Sequence, residues 1–118
     1  MESAFDTKRP PATSNASIVT KIIAGSVYSD GTIAAGHGFG VVQEQTGLYV
    51  VTFDTPFEFL FGGSATQAYS GSNGQGGSTL DNAIIVILSN SEAKIKTGDG
   101  QGNATDRDFT FIFVGHGK

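Results

Sequence analysis

The segment Phe109-Thr110-Phe111-Ile112-Phe113-Val114 decides the fold class, because it reads as a strand with two apolar faces. Successive side chains of a strand point to opposite sides, so a sheet with one wet face alternates apolar and polar residues. Here Phe109, Phe111 and Phe113 fall on one side, while Ile112 and Val114 fall on the other. Ala83-Ile84-Ile85-Val86-Ile87-Leu88 repeats the pattern. A small antiparallel domain covers only one face of each of its sheets, so the second apolar face wants a partner. The pattern therefore predicts an oligomer interface that includes Ile85, Ile87, Phe109, Phe111 and Phe113.

Working outward, the composition agrees with an all-β chain. Among 118 residues there are 17 glycines and nine phenylalanines, and only 15% of the residues are charged. That balance suits short strands and tight turns, and no window carries apolar residues at helical spacing over several turns. The length fits one domain, in which roughly two-thirds of the unfolded surface can be buried. Seven basic against eleven acidic residues give a net charge of −4, without the basic stripe that a nucleic-acid binder presents to phosphates. Lys94 and Lys96 share one strand face, read as a solvated face that also discourages edge-to-edge pairing. The absence of cysteine excludes disulfides, thiolate metal sites and a cysteine nucleophile. No signal-peptide pattern opens the chain, and no run approaches the ~20 apolar residues of a membrane span.

Residues 1–17 include Lys8-Arg9-Pro10-Pro11 and are expected to form a flexible arm, leaving 18–118 as a single sandwich domain. Strands are predicted at Ile18–Tyr28, Ile33–Gln43, Leu48–Asp54, Phe57–Tyr69, Ala83–Ser89, Ser91–Thr97 and Asp106–Gly115. Ser29-Asp30-Gly31-Thr32 is a strong turn signal, since Asp-Gly supplies positive φ at little cost. Ser70–Ser78 and Gly98–Thr105 are glycine-rich loops, and nothing recurs at a repeat period. Seven or eight short strands with this punctuation point to an antiparallel β-sandwich of jelly-roll type.

Three segments carry a resemblance: Ala24-Gly-Ser-Val-Tyr-Ser-Asp-Gly-Thr-Ile33, Gly47-Leu-Tyr-Val-Val-Thr-Phe-Asp54 with Pro56-Phe57, and Asp106-Arg-Asp-Phe-Thr-Phe-Ile-Phe-Val-Gly115. Their order resembles small β domains at the ends of bacterial and phage surface or tail-fibre proteins. It is also similar to the complement-head and tumour-necrosis-factor jelly rolls. The resemblance implies a homotrimer that binds a glycan or receptor, or caps a fibre, at a cell or particle surface. As a likeness of strands and turns it speaks to fold more than to activity.

The chemical candidates are sparse. Gly36-His37-Gly38-Phe39-Gly40 lacks the following helix of a phosphate cradle and reads as glycines that let a strand bend. His37 and His116 stand without a third ligand at metal spacing. Asp99, Asn103, Asp106 and Asp108 form an oxygen-rich stretch that Ca²⁺ would favour, but the spacing matches no calcium loop and suits turn-capping. Arg107, between Asp106 and Asp108, suggests a local ion pair. No nucleophile elbow is present, so no catalytic residue and no cofactor are assigned, with a small polysaccharide hydrolase as the enzymatic alternative. Asn15-Ala-Ser17 and Asn103-Ala-Thr105 match glycosylation acceptors. Ligand contacts are expected from the loops, at Tyr69, Asn73, Gln75, Asp99, Asn103, Asp106 and Arg107, with Tyr28 and Tyr49 as further stacking platforms for sugars.

Overall fold

The computed structural model describes residues 19–69 and 76–117, together with all their side chains except that of Ile87. The arm expected at 1–17 lies outside the described residues. Eight strands form: β1 Val19–Val27, β2 Ile33–Gly36, β3 Phe39–Gln45, β4 Leu48–Phe53, β5 Phe59–Gln67, β6 Asn82–Leu88, β7 Glu92–Gly98 and β8 Phe109–Gly117. They make two four-stranded antiparallel sheets that pack as a sandwich, ordered β2-β1-β8-β5 (sheet A) and β3-β4-β7-β6 (sheet B).

The strand predicted over Ile33–Gln43 divides in two. Gly36 and Gly38 adopt φ of 98° and 90°, a region that L side chains avoid, and between them the chain leaves sheet A for sheet B. A Cβ on Gly36 would stand 2.4 Å from the Ala24 carbonyl oxygen, so the corner is closed to larger residues. The Asp-Gly turn forms as read: Gly31 takes φ 91°, and the Tyr28 amide donates to the Thr32 carbonyl at 2.8 Å.

The core corrects the interface expectation. Phe109, Phe111 and Phe113 are buried inside the single chain, at 0%, 4% and 0% exposure. Their rings meet those of the opposite sheet: Tyr49 lies 4.9 Å from Phe109, Phe39 4.9 Å from Phe111 and Phe53 5.5 Å from Phe113, centroid to centroid. Such offset or edge-on pairs each contribute about 0.5–1.5 kcal/mol beyond the area they bury. The phenylalanine row thus holds sheet A to sheet B within the single chain. Ile85 is half-buried and also packs against this core, so the outward apolar residues of β6 are Ile84 and Val86. The side chain of Ile87 lies outside the description.

Tyr49 is corrected for the same reason. It is fully buried, with its hydroxyl donating to the Ser29 carbonyl at 2.7 Å, so it offers no ring to a sugar. The edge-blocking role read into Lys94 and Lys96 also fails, because β7 lies between β4 and β6, inside sheet B.

Candidate functional site

With the phenylalanines turned inward, β8 presents Thr110, Ile112, Val114 and His116 outward. Across sheet A these align with their neighbours. Ile112 stands between Ala24 and Ser64, Val114 between Ile22 and Gly62, and Thr110 between Ser26 and Thr66. Ile22 is 57% exposed and Ile112 43%, and the Phe61 ring lies 4.8 Å from the His116 ring at the same face. The sequence of β1, β2, β5 and β8 contains one charged residue, Lys21. It occupies the inward register beside Ile23, and its Nζ donates to the Thr55 carbonyl at 2.6 Å while lying 4.9 Å from the Phe57 ring. Its charge is therefore held at the end of the sandwich, and among the described residues the strands of sheet A present no charged side chain on the outer face.

The outer face of sheet B is unlike it. Lys94 on β7 lies 3.1 Å from Glu44 on β3, with Lys96 and Glu92 on the same side of β7. Val42, Ile84 and Val86 are exposed among these charges.

The third region is the loop end, where several residues singled out as ligand contacts converge. The Arg107 guanidinium stacks 5.6 Å from the Tyr69 ring centroid and lies 3.5 Å from the Asp81 carboxylate. Arg107 thus has an ion partner across the loop in Asp81. Tyr69, Arg107 and Asp106 line one cavity of ≈250 Å³ together with Ser29 and Gln67. Gln67 is the residue that sequence reasoning missed. Its Nε2 donates to the carbonyls of Asn82 and Gly98, which leaves Oε1 buried and without a donor among the described residues. A buried acceptor without a donor is costly, and a ligand hydroxyl or a bound water is what satisfies one.

The acidic residues serve the loops themselves. The Asp106 Oδ1 accepts from the Gly47 amide at 2.7 Å and from Gln43 Nε2 at 2.6 Å, and the Asp108 Oδ1 accepts from the Ser29 amide at 2.7 Å. These bonds clamp the segment before β8 onto the β1–β2 and β3–β4 turns. Asp99 Oδ1 accepts from the amides of Gln101 and Asn103, and Oδ2 accepts from Asn103 Nδ2. The Asn103 and Gln101 amides hold the Asp99 carboxyl below its ordinary range. Asp99 and Asn103 thus form a turn of their own, outside the Tyr69 cavity. Among the described residues, no group of three or more His, Cys, Asp or Glu side chains could hold a metal. Asn73 and Gln75 lie outside the described residues. Tyr28 is half-exposed beside the β1–β2 turn.

No family model matches the chain, and neither a curated protein nor a solved structure matches it. No helix among the described residues is long and apolar enough to cross a membrane.

Proposed function

We propose that the protein is a non-enzymatic assembly and binding module of tumour-necrosis-factor-like, jelly-roll type. In this reading it forms a homotrimer through the outer face of sheet A and presents its loop end at a cell or particle surface. The observation that carries the reading is the uncharged outer face of sheet A, with Ile22, Ile112 and Phe61 all 40% or more exposed. A neighbouring copy can cover this face without stranding a charge, whereas the Glu44–Lys94 side of sheet B keeps its ion pair in water.

Size favours a ring over a pair. β1, β5 and β8 each run nine residues. At strand spacing they cover a face about 30 Å by about 15 Å. That is roughly half of the ~800 Å² that one partner gives to a standard interface. In a closed ring each protomer contributes twice, once with a face and once with an edge. The connectivity supports the jelly-roll reading: eight strands in two sheets, with the first and last adjacent and the chain passing between sheets after β2, β4, β5 and β7.

Size-exclusion chromatography with light scattering tests the assembly. A trimer is expected at micromolar concentration, Ile112→Lys should yield a folded monomer, and Val42→Lys on sheet B should remain trimeric. A wild-type monomer, or a trimer indifferent to Ile112→Lys, overturns the reading.

A glycan is the ligand favoured at the loop end, on the half-exposed Tyr69 ring, with Gln67 lining the same cavity. A glycan array separates this from a purely structural cap. Binding lost in Tyr69→Ala supports the lectin-like reading, and a silent array leaves assembly alone.

A further inference from the structure

The outer face of sheet B carries a groove that assembly through sheet A would leave open. Leu48, Lys96 and Ile84 stand in one row across β4, β7 and β6. Two cavities, of ≈300 Å³ and ≈290 Å³, flank that row. Leu80 and Ile84 line the first, Leu48 and Val86 the second, and Lys96 and Ala104 line both. Leu80 is 70% exposed and Ile84 and Val86 are close to half-exposed, so the apolar walls are open to solvent.

Lys96 differs from the other described cations. Lys94 has Glu44, Arg107 has Asp81, and Lys21 donates to the Thr55 carbonyl. Among the described residues, Lys96 has no carboxylate within ion-pair distance. Asp99 also lines the first cavity, but its oxygens are engaged by the Gln101 and Asn103 amides and by Asn103 Nδ2. The result is one uncompensated ammonium set among aliphatic side chains.

We propose that this groove binds an organic carboxylate with an aliphatic body, of the medium-chain fatty-acid class. The carboxylate pairs with Lys96, and the chain lies against Leu48, Ile84 and Val86. Charge complementarity selects the anion, because Lys96 offers three donors and, among the described residues, no carboxylate stands within ion-pair distance of it. The hydrocarbon follows from the walls, whose exposed methyl groups gain by leaving water. The net charge of −4 repels anions at long range, so an anion retained here is retained by this local pairing.

Titration of the ¹⁵N-labelled full chain tests the site, with octanoate, octan-1-ol and acetate as probes. Octanoate is expected to shift the amides of Leu48, Ile84, Val86, Lys96 and Ala104. Octan-1-ol should bind about tenfold more weakly and acetate should leave those amides in place. Lys96→Met should weaken octanoate about tenfold while leaving octan-1-ol unchanged, and Lys96→Arg should restore the octanoate affinity. Lys96 is exposed, so thermal melts should show both variants folded. The proposal is overturned if octanoate shifts other amides or none, if Lys96→Met binds like the wild type, or if acetate reproduces the octanoate shifts.

Discussion

Sheets A and B share one core yet present opposite surfaces to the outside. Both sheets give three rings to the core, Phe109, Phe111 and Phe113 from sheet A and Phe39, Tyr49 and Phe53 from sheet B. The strands of sheet A present no charge outward, whereas sheet B carries the Glu44–Lys94 pair there. They also tolerate close packing differently. On sheet A, a Cβ at Gly63 would come within 2.2 Å of the Ile112 carbonyl oxygen and 2.3 Å of the Phe113 ring. On sheet B, a Cβ at Gly40 would have nothing within 4 Å. The lesson is that Gly63 makes room for the Phe113 ring and a neighbouring carbonyl, whereas Gly40 makes room for nothing.

The sharpest way to break the comparison is to empty the shared core. Phe113→Ala should cost about 3–5 kcal/mol by urea titration, since a fully buried ring is lost without room for collapse. A cost well below that would mean the phenylalanine row faces outward after all. Next comes the glycine contrast. Gly63→Ala should destabilise by about 1–3 kcal/mol through overpacking, and Gly40→Ala should be neutral or stabilise by up to about 1 kcal/mol. Equal effects would erase the distinction between the two positions.

A smaller effect should come from Tyr49, which ties β4 to the β1–β2 turn. Tyr49→Phe should cost about 1 kcal/mol by leaving the Ser29 carbonyl without its donor. Burial, with the Asp106 charge second, raises the Tyr49 hydroxyl above its ordinary pKa of 10.0. A raised folded pKa means that this contribution is complete below pH 10 and is lost as pH climbs from there through the folded value. Alkaline melts should therefore fall less steeply in Tyr49→Phe than in the wild type. Smallest of all, Lys94→Ala should cost under ~1 kcal/mol and less in high salt, because its pair with Glu44 lies at the surface.

Much of the architecture was legible in the chain. The strands around Tyr49 and Phe111 and the turn at Asp30-Gly31 stand out because alternation and turn chemistry are local properties. Which side of β8 faced inward was not legible, since a period of two looks the same from either side. The outcome follows from volume: the ring row fills the space between sheets, and the smaller Ile112 and Val114 face outward. The split at Gly36–Gly38 was half visible, as a bend without its crossing to the other sheet. Tyr69 and Arg107 were singled out as loop residues, and the fold brings them together at one cavity. Gln67 was not, because its meaning depends on the Asn82 and Gly98 carbonyls, which only the fold brings beside it.

The pairing of β1 with β8 along their full length, from Val19 opposite Gly117 to Val27 opposite Phe109, bears on how the chain is born. Sheet A cannot close until its last strand has left the ribosome, so the nascent β1 waits with Ile23 and Val27 uncovered while everything between is made. Joining such distant segments places the domain among slow, non-local folders, on a millisecond-to-second timescale. During that interval β1 is the strand on which a chaperone, or a neighbouring nascent chain, has the longest opportunity to act.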